Sequence, residues 1–105
     1  MSNETEIHIG VVLDDSIEFS LNEISRTCHV GIEVVIELVE VGIIEPRGRE
    51  PAEWHFPGSA IGRIERALNL QRDLEINLPG VALVLELLDE IDHLKDRLWI
   101  MEKDW

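Results

Sequence analysis

The sequence is poor in three things, and each narrows its chemistry. It has one cysteine, Cys28, so no intrachain disulfide can form and a reducing compartment is its natural setting. It has few bases: nine lysines and arginines stand against 22 aspartates and glutamates, a formal net charge of −13 on 105 residues. Such a charge favours solubility and works against attraction to phosphate backbones and anionic membrane surfaces. It also lacks a long apolar run. The nearest, Val81 to Leu88, is broken by Glu86 and falls short of the roughly 20 residues a membrane span needs. The first ten residues, MSNETEIHIG, carry neither a basic region nor an apolar stretch, so the sequence predicts no secretory signal and a cytoplasmic protein.

Catalytic and metal chemistry are just as sparse. His8, His29, His55 and His93 fall on different predicted elements, and Cys28-His29 lacks the paired spacing of a zinc site. No glycine-rich phosphate loop follows a strand, and no nucleophile stands beside a plausible base. The sequence predicts no catalytic residue, no metal site and no cofactor.

What is present is a balanced globular composition, 45% apolar and 30% charged, of a length that suits one domain. Ile7, Ile9 and Val11 alternate within Thr5 to Leu13, which predicts a short strand, and Asp14-Asp15-Ser16 reads as a turn. Ser20 with Glu23 three residues on is a capping box for a short helix, in which Leu21, Ile24 and Cys28 share a face. A second helix spans about Ile32 to Val41, with Val35, Leu38 and Val39 inward and Gly42 as its stop. Glu53 to Phe56 predicts a second short strand, with Trp54 and Phe56 together in the core. A third helix spans Ser59 to Glu75 on a stripe of Ile61, Ile64 and Leu68, with Leu70 and Leu74 to the side. Pro79 opens a last helix that nearly reaches Trp105, roughly 39 Å at 1.5 Å per residue. The expected organisation is one domain, with a winged region over 1–76 and a long helix over 77–105.

Two short helices, a wing, a third helix and a long final helix form an order that resembles the MerR-type helix-turn-helix. The residues that carry the resemblance are Glu40 to Gly48, EVGIIEPRG, and the aromatic strand Trp54 to Phe56. Within that fold the chain looks closest to the CbpM family of chaperone modulators, through LPGVALVLELLDEIDHLK at Leu78 to Lys95. The resemblance implies a mainly α, MerR-like winged helix-turn-helix with two short β-strands and a long C-terminal helix. It further implies a non-catalytic protein that binds the J-domain of a DnaJ-like, CbpA-type co-chaperone and blocks its action on Hsp70. J-domains present a basic helix to Hsp70, and an acidic surface suits it.

One departure from DNA-binding MerR-type regulators has a physical consequence. Ile36 stands where an arginine is expected in the second helix, Glu37-Leu38 where an aromatic pair is, and Glu40 where a base is common. Glu33, Glu37 and Glu40 fall within about 60° of one another on the helix. Carried into a major groove, each would meet a phosphate at a cost of about 1 kcal/mol in water and several times that at lower dielectric. DNA binding is therefore the weaker alternative, a MerR-type transcriptional regulator touching phosphates through the arginines of the wing and third helix. Arg47, Arg49, Arg63, Arg66 and Arg72 are interleaved with Glu50, Glu53, Glu65 and Asp73, which cancel their field.

Two acidic sets are candidate partner-binding sites: Glu33, Ile36, Glu37 and Glu40 on the second helix, and Asp89, Asp92 and Asp96 on the last. A run of helical acids is more often a solvated face than a site. The aliphatics Ile36 and Val41 beside the first set argue for a protein partner. Val84, Leu87, Ile91, Leu94, Leu98, Met101 and Trp105 repeat by threes and fours as a heptad seam. Its early part, Val81 to Leu88, is expected to pack on the chain's own core. Ile91, Leu94, Leu98, Met101 and Trp105 run beyond so small a core and predict a homodimer, parallel or antiparallel.

Overall fold

The computed structural model describes residues 15–103, so the strand expected over Thr5 to Leu13 and the seam residue Trp105 lie outside the described residues. Ser20 sets the start of the first helix. Its hydroxyl accepts from the Glu23 amide, and the Glu23 carboxylate accepts from the Ser20 amide at 2.7 Å. That reciprocal pair, the expected capping box, starts helix α1, Leu21–Cys28. The hydrogen bond from the Ser20 amide pulls the Glu23 carboxyl below the usual range.

Helix α1 closes when His29 turns left-handed (φ 57°) and the Val30 amide reaches back to Ser25 O. Helix α2, Ile32–Glu40, closes in a similar way. Gly42 takes φ 84°, its amide bonds to Val39 O, and the Ile43 amide bonds to Leu38 O. Ile43 and Leu38 are both buried, the apolar contact that accompanies this motif. The glycine stop lies where the sequence predicts it.

The strands differ from expectation. Strand β1 is Glu18–Ser20, the residues that lead into α1, and it pairs antiparallel with β2, His55–Pro57, with Phe19 opposite Phe56. The expected strand from Glu53 starts two residues late because Pro51–Glu53 forms a 3₁₀ turn, which proline favours at its start. Arg47 and His55 exchange both backbone hydrogen bonds at 3.0 Å and so form the wing. Gly48 turns it at φ 108°, where a Cβ would lie 2.5 Å from Glu53 O.

Helix α3, Ser59–Leu74, buries Ala60, Ile61, Ile64 and Ala67, while Leu68 and Leu70 are half-buried and Leu74 is exposed. Helix α4, Leu78–Lys103, starts at Asn77, whose side-chain oxygen accepts from the Gly80 amide at 2.8 Å. One hydrophobic cluster joins α1, α2, the wing, α3 and the start of α4. Phe56 lies fully buried within it, and Trp54 packs edge-on to Phe56 at 6.0 Å while staying half-exposed. Nothing charged is buried among the described residues. The protein measures 51 × 34 × 29 Å with a radius of gyration of 15.5 Å. A compact chain of this length would have about 13 Å; α4, exposed throughout beyond Leu88, lengthens this one.

Candidate protein-binding surfaces

Helix α4 changes character along its length. Leu78, Val81 and Leu85 are buried within an arc of about 60°. The same arc continues as Asp89, Asp92 and Asp96, all exposed. The strip that packs on the domain for two turns thus becomes a row of aspartates once the helix leaves it.

The opposite side carries a second strip. Leu83, Leu87, Ile91, Leu94, Leu98 and Met101 are 45–60% exposed and fall within an arc of about 80°. This corrects the expectation that all of Val81 to Leu88 packs on the chain's own core. Leu83 and Leu87 do not, and Val84 is only half-buried. With Leu78, Val81 and Leu85 filling the inward face, a helix has no geometry by which Leu83 and Leu87 could also turn inward. The seam therefore runs uninterrupted from Leu83, a full turn earlier than Leu87. Trp99 and Ile100, at 58% and 56% exposure, lie on either side of it, and Lys103 Nζ sits 4.7 Å from the Trp99 ring centre.

On α2, Glu33, Glu37 and Glu40 are exposed, with Ile36 half-buried beside them. The structure keeps this patch apart from the Asp89, Asp92 and Asp96 row. Between the two elements is an open hollow of about 480 Å³, walled by Val41, Gly42 and Arg63 on one side and by Ala82, Leu83, Glu86 and Asp89 on the other. Asp89 is already engaged: Arg63 holds it at 3.4 Å and donates through Nε to Ile43 O at 2.6 Å. Sequence reasoning missed Arg63 as the residue that ties α4 to the exit of α2. The arginine itself was plain on α3, on one face with Arg66, but its partner lies 26 residues on. A larger neighbouring hollow of about 600 Å³ is lined by Ile43, Ile44, Gly62, Arg63 and Arg66.

Among the described residues no group of three or more histidine, cysteine or acidic side chains could hold a metal ion. No described helix is long and apolar enough to cross a membrane. Cys28 is half-buried, and burial lifts its thiol to about 11, with the Glu65 carboxylate adding to the rise. At pH 8 the native thiol should react with iodoacetamide far more slowly than in urea; equal rates would show the site to be open.

The profile of the family described as "MerR HTH family regulatory protein" matches residues 19–103. The chain is 40% identical over 94 residues to "Chaperone modulatory protein CbpM" of Coxiella burnetii, covering 90% of this chain and 89% of that protein. It is 40% identical over 79 residues to the protein of the same name from Pseudomonas entomophila, covering 75% and 78%. It is 38% identical over 79 residues to that of Pseudomonas putida, covering 75% and 78%.

Proposed function

From the premise that the chain belongs to the MerR-type helix-turn-helix family and, within it, to the chaperone modulatory proteins CbpM, we propose that it binds the J-domain of a DnaJ-like, CbpA-type co-chaperone in the cytoplasm and keeps that J-domain from its Hsp70. The mechanism is occlusion without catalysis. An acidic surface covers the basic helix that the J-domain would otherwise present, and nearby aliphatic side chains supply the dry centre of the contact.

The observation that carries this reading is the α2 surface. The element that reads DNA in regulators of this fold presents Glu33, Glu37 and Glu40 beside a half-buried Ile36. That face repels phosphate and attracts a basic helix. Asp92 and Asp96 on α4 add to the field from the same protein, and Asp89 contributes where it is not neutralised by Arg63.

The protein acts as a homodimer joined through α4. Support comes from the outward strip between Leu83 and Met101, about 27 Å of continuous aliphatic surface that the chain's own core leaves uncovered. Pairing two such strips gives each leucine a partner and leaves the aspartate row, on the far side of the helix, accessible to the J-domain.

Calorimetric titration with the host's CbpA-type J-domain tests the function. Saturable heat that weakens with added salt is expected, and duplex DNA should give none at about 0.1 M salt. No heat with the J-domain would sink the proposal, and retention on DNA would return the protein to the regulators.

A further inference from the structure

The acidic row of α2 has no direction of its own. Glu33, Glu37 and Glu40 are alike, all exposed, and span about 10 Å of the helix. A basic helix lying on such a row gains much the same in either orientation. The surroundings break that symmetry at one end. Two residues past Glu40, Gly42 begins one wall of the open hollow of about 600 Å³, and the first turns of α3 form the other.

The two walls differ in charge. Glu45 stands on the α2 side and keeps the sign of the row, while Arg63 and Arg66 stand on the α3 side. Arg63 is committed, since it holds Asp89 and donates to Ile43 O. Arg66, one helical turn on, is exposed and has no ion pair or hydrogen bond among the described residues. Glu45 has none either, so the two charges line the hollow without pairing across it.

The walls are also low. A Cβ added at Gly42 or at Gly62 would meet nothing within 4 Å. The positive φ of Gly42 accounts for that glycine. Gly62 lies within α3, where glycine weakens a helix relative to alanine and the fold does not need the space. The space admits the backbone of a partner beside Arg66. A phosphate backbone suits this place poorly, because Glu45 and the α2 row flank the one uncommitted arginine. A protein segment of mixed sign suits it, with bases toward α2 and an acid toward α3.

We propose that the hollow receives a carboxylate side chain of the J-domain, carried at one end of the basic helix that lies on α2, and that this carboxylate pairs with Arg66. The inference rests on the J-domain reading above and deepens it. Arg66 then fixes which way the helix lies. It also sets specificity: an equally basic J-domain that brings a base to this place meets a like charge.

Calorimetric titration of the full chain with the CbpA-type J-domain tests it. Arg66→Glu should weaken binding about tenfold, while Arg66→Lys keeps most of the affinity. The sign is informative, because an added negative charge should favour a basic partner through the overall field. Arg49→Glu, the same change of charge out on the wing, should therefore bind as well as the wild type or slightly better. Gly62→Leu fills the hollow and should also cost about tenfold, with a melting temperature no lower than that of the wild type. Lysine replacing each J-domain carboxylate in turn should reveal one position that weakens binding to the wild type and restores binding to Arg66→Glu. An Arg66→Glu chain that binds as tightly as the wild type, or that no J-domain lysine rescues, overturns the proposal and leaves J-domain binding standing. A wild-type chain that gives no heat with the J-domain overturns that reading and this one with it.

Discussion

Replacing Leu94 with aspartate should turn the proposed dimer into a monomer without unfolding it. Leu94 is 53% exposed in the single chain and touches none of the core cluster, so the fold has little to lose from the change. The dimer loses a great deal. A buried leucine contributes about 1.5–3 kcal/mol, and the two-fold axis counts each substitution twice. The aspartate also brings a charge into a dry aliphatic seam. A rise of at least about a hundredfold in the dissociation constant is expected. Sedimentation reads the mass, and far-ultraviolet circular dichroism reads whether the helices persist. The same change at Leu85, which is fully buried against the domain, should unfold the chain instead. A Leu94→Asp chain that stays dimeric would place the contact somewhere other than this strip.

Glu37→Lys is expected to have the second large effect, on the proposed J-domain contact. Glu37 lies at the middle of the α2 patch, between Glu33 and Glu40 and beside Ile36. Reversing its charge replaces an attraction by a repulsion within the contact. Close charge pairs across an interface couple by about 1.5 kcal/mol or more, so a loss of about thirtyfold in affinity is a fair expectation. Asp92→Lys, on the projecting part of α4, should cost only a few-fold through the general field and should do so less as salt rises. If Asp92→Lys carries the large loss and Glu37→Lys does not, the docking face is the aspartate row. Neither position is buried, and both variants should melt with the wild type.

Much of this architecture could be read from the residues because its signals are local. The Ser20–Glu23 capping box, the Gly42 stop and the Ile61 and Ile64 face each depend on neighbours within four positions, where sequence spacing is spatial proximity. The strand Glu18–Ser20 was hidden because three residues carry no period, and its partner lies far along the chain, beyond the wing. The dual use of α4 was hidden for another reason. A stretch that is apolar on several faces looks like a core helix. Only the position of the domain decides that two apolar residues so close in sequence part company, Val81 inward and Leu83 outward. The acidic patches were plain from spacing, but the Arg63 link that occupies Asp89 is a tertiary contact with no local signature.

The measurement that bears most directly on the central claim is the rate of ATP hydrolysis by the Hsp70 in the presence of its CbpA-type co-chaperone, with increasing amounts of this protein. Stimulation should fall to the basal Hsp70 rate as the J-domain is covered, and the Glu37→Lys protein should be a much weaker inhibitor. A stimulated rate that does not change at saturating wild-type protein, with the J-domain bound, would contradict occlusion.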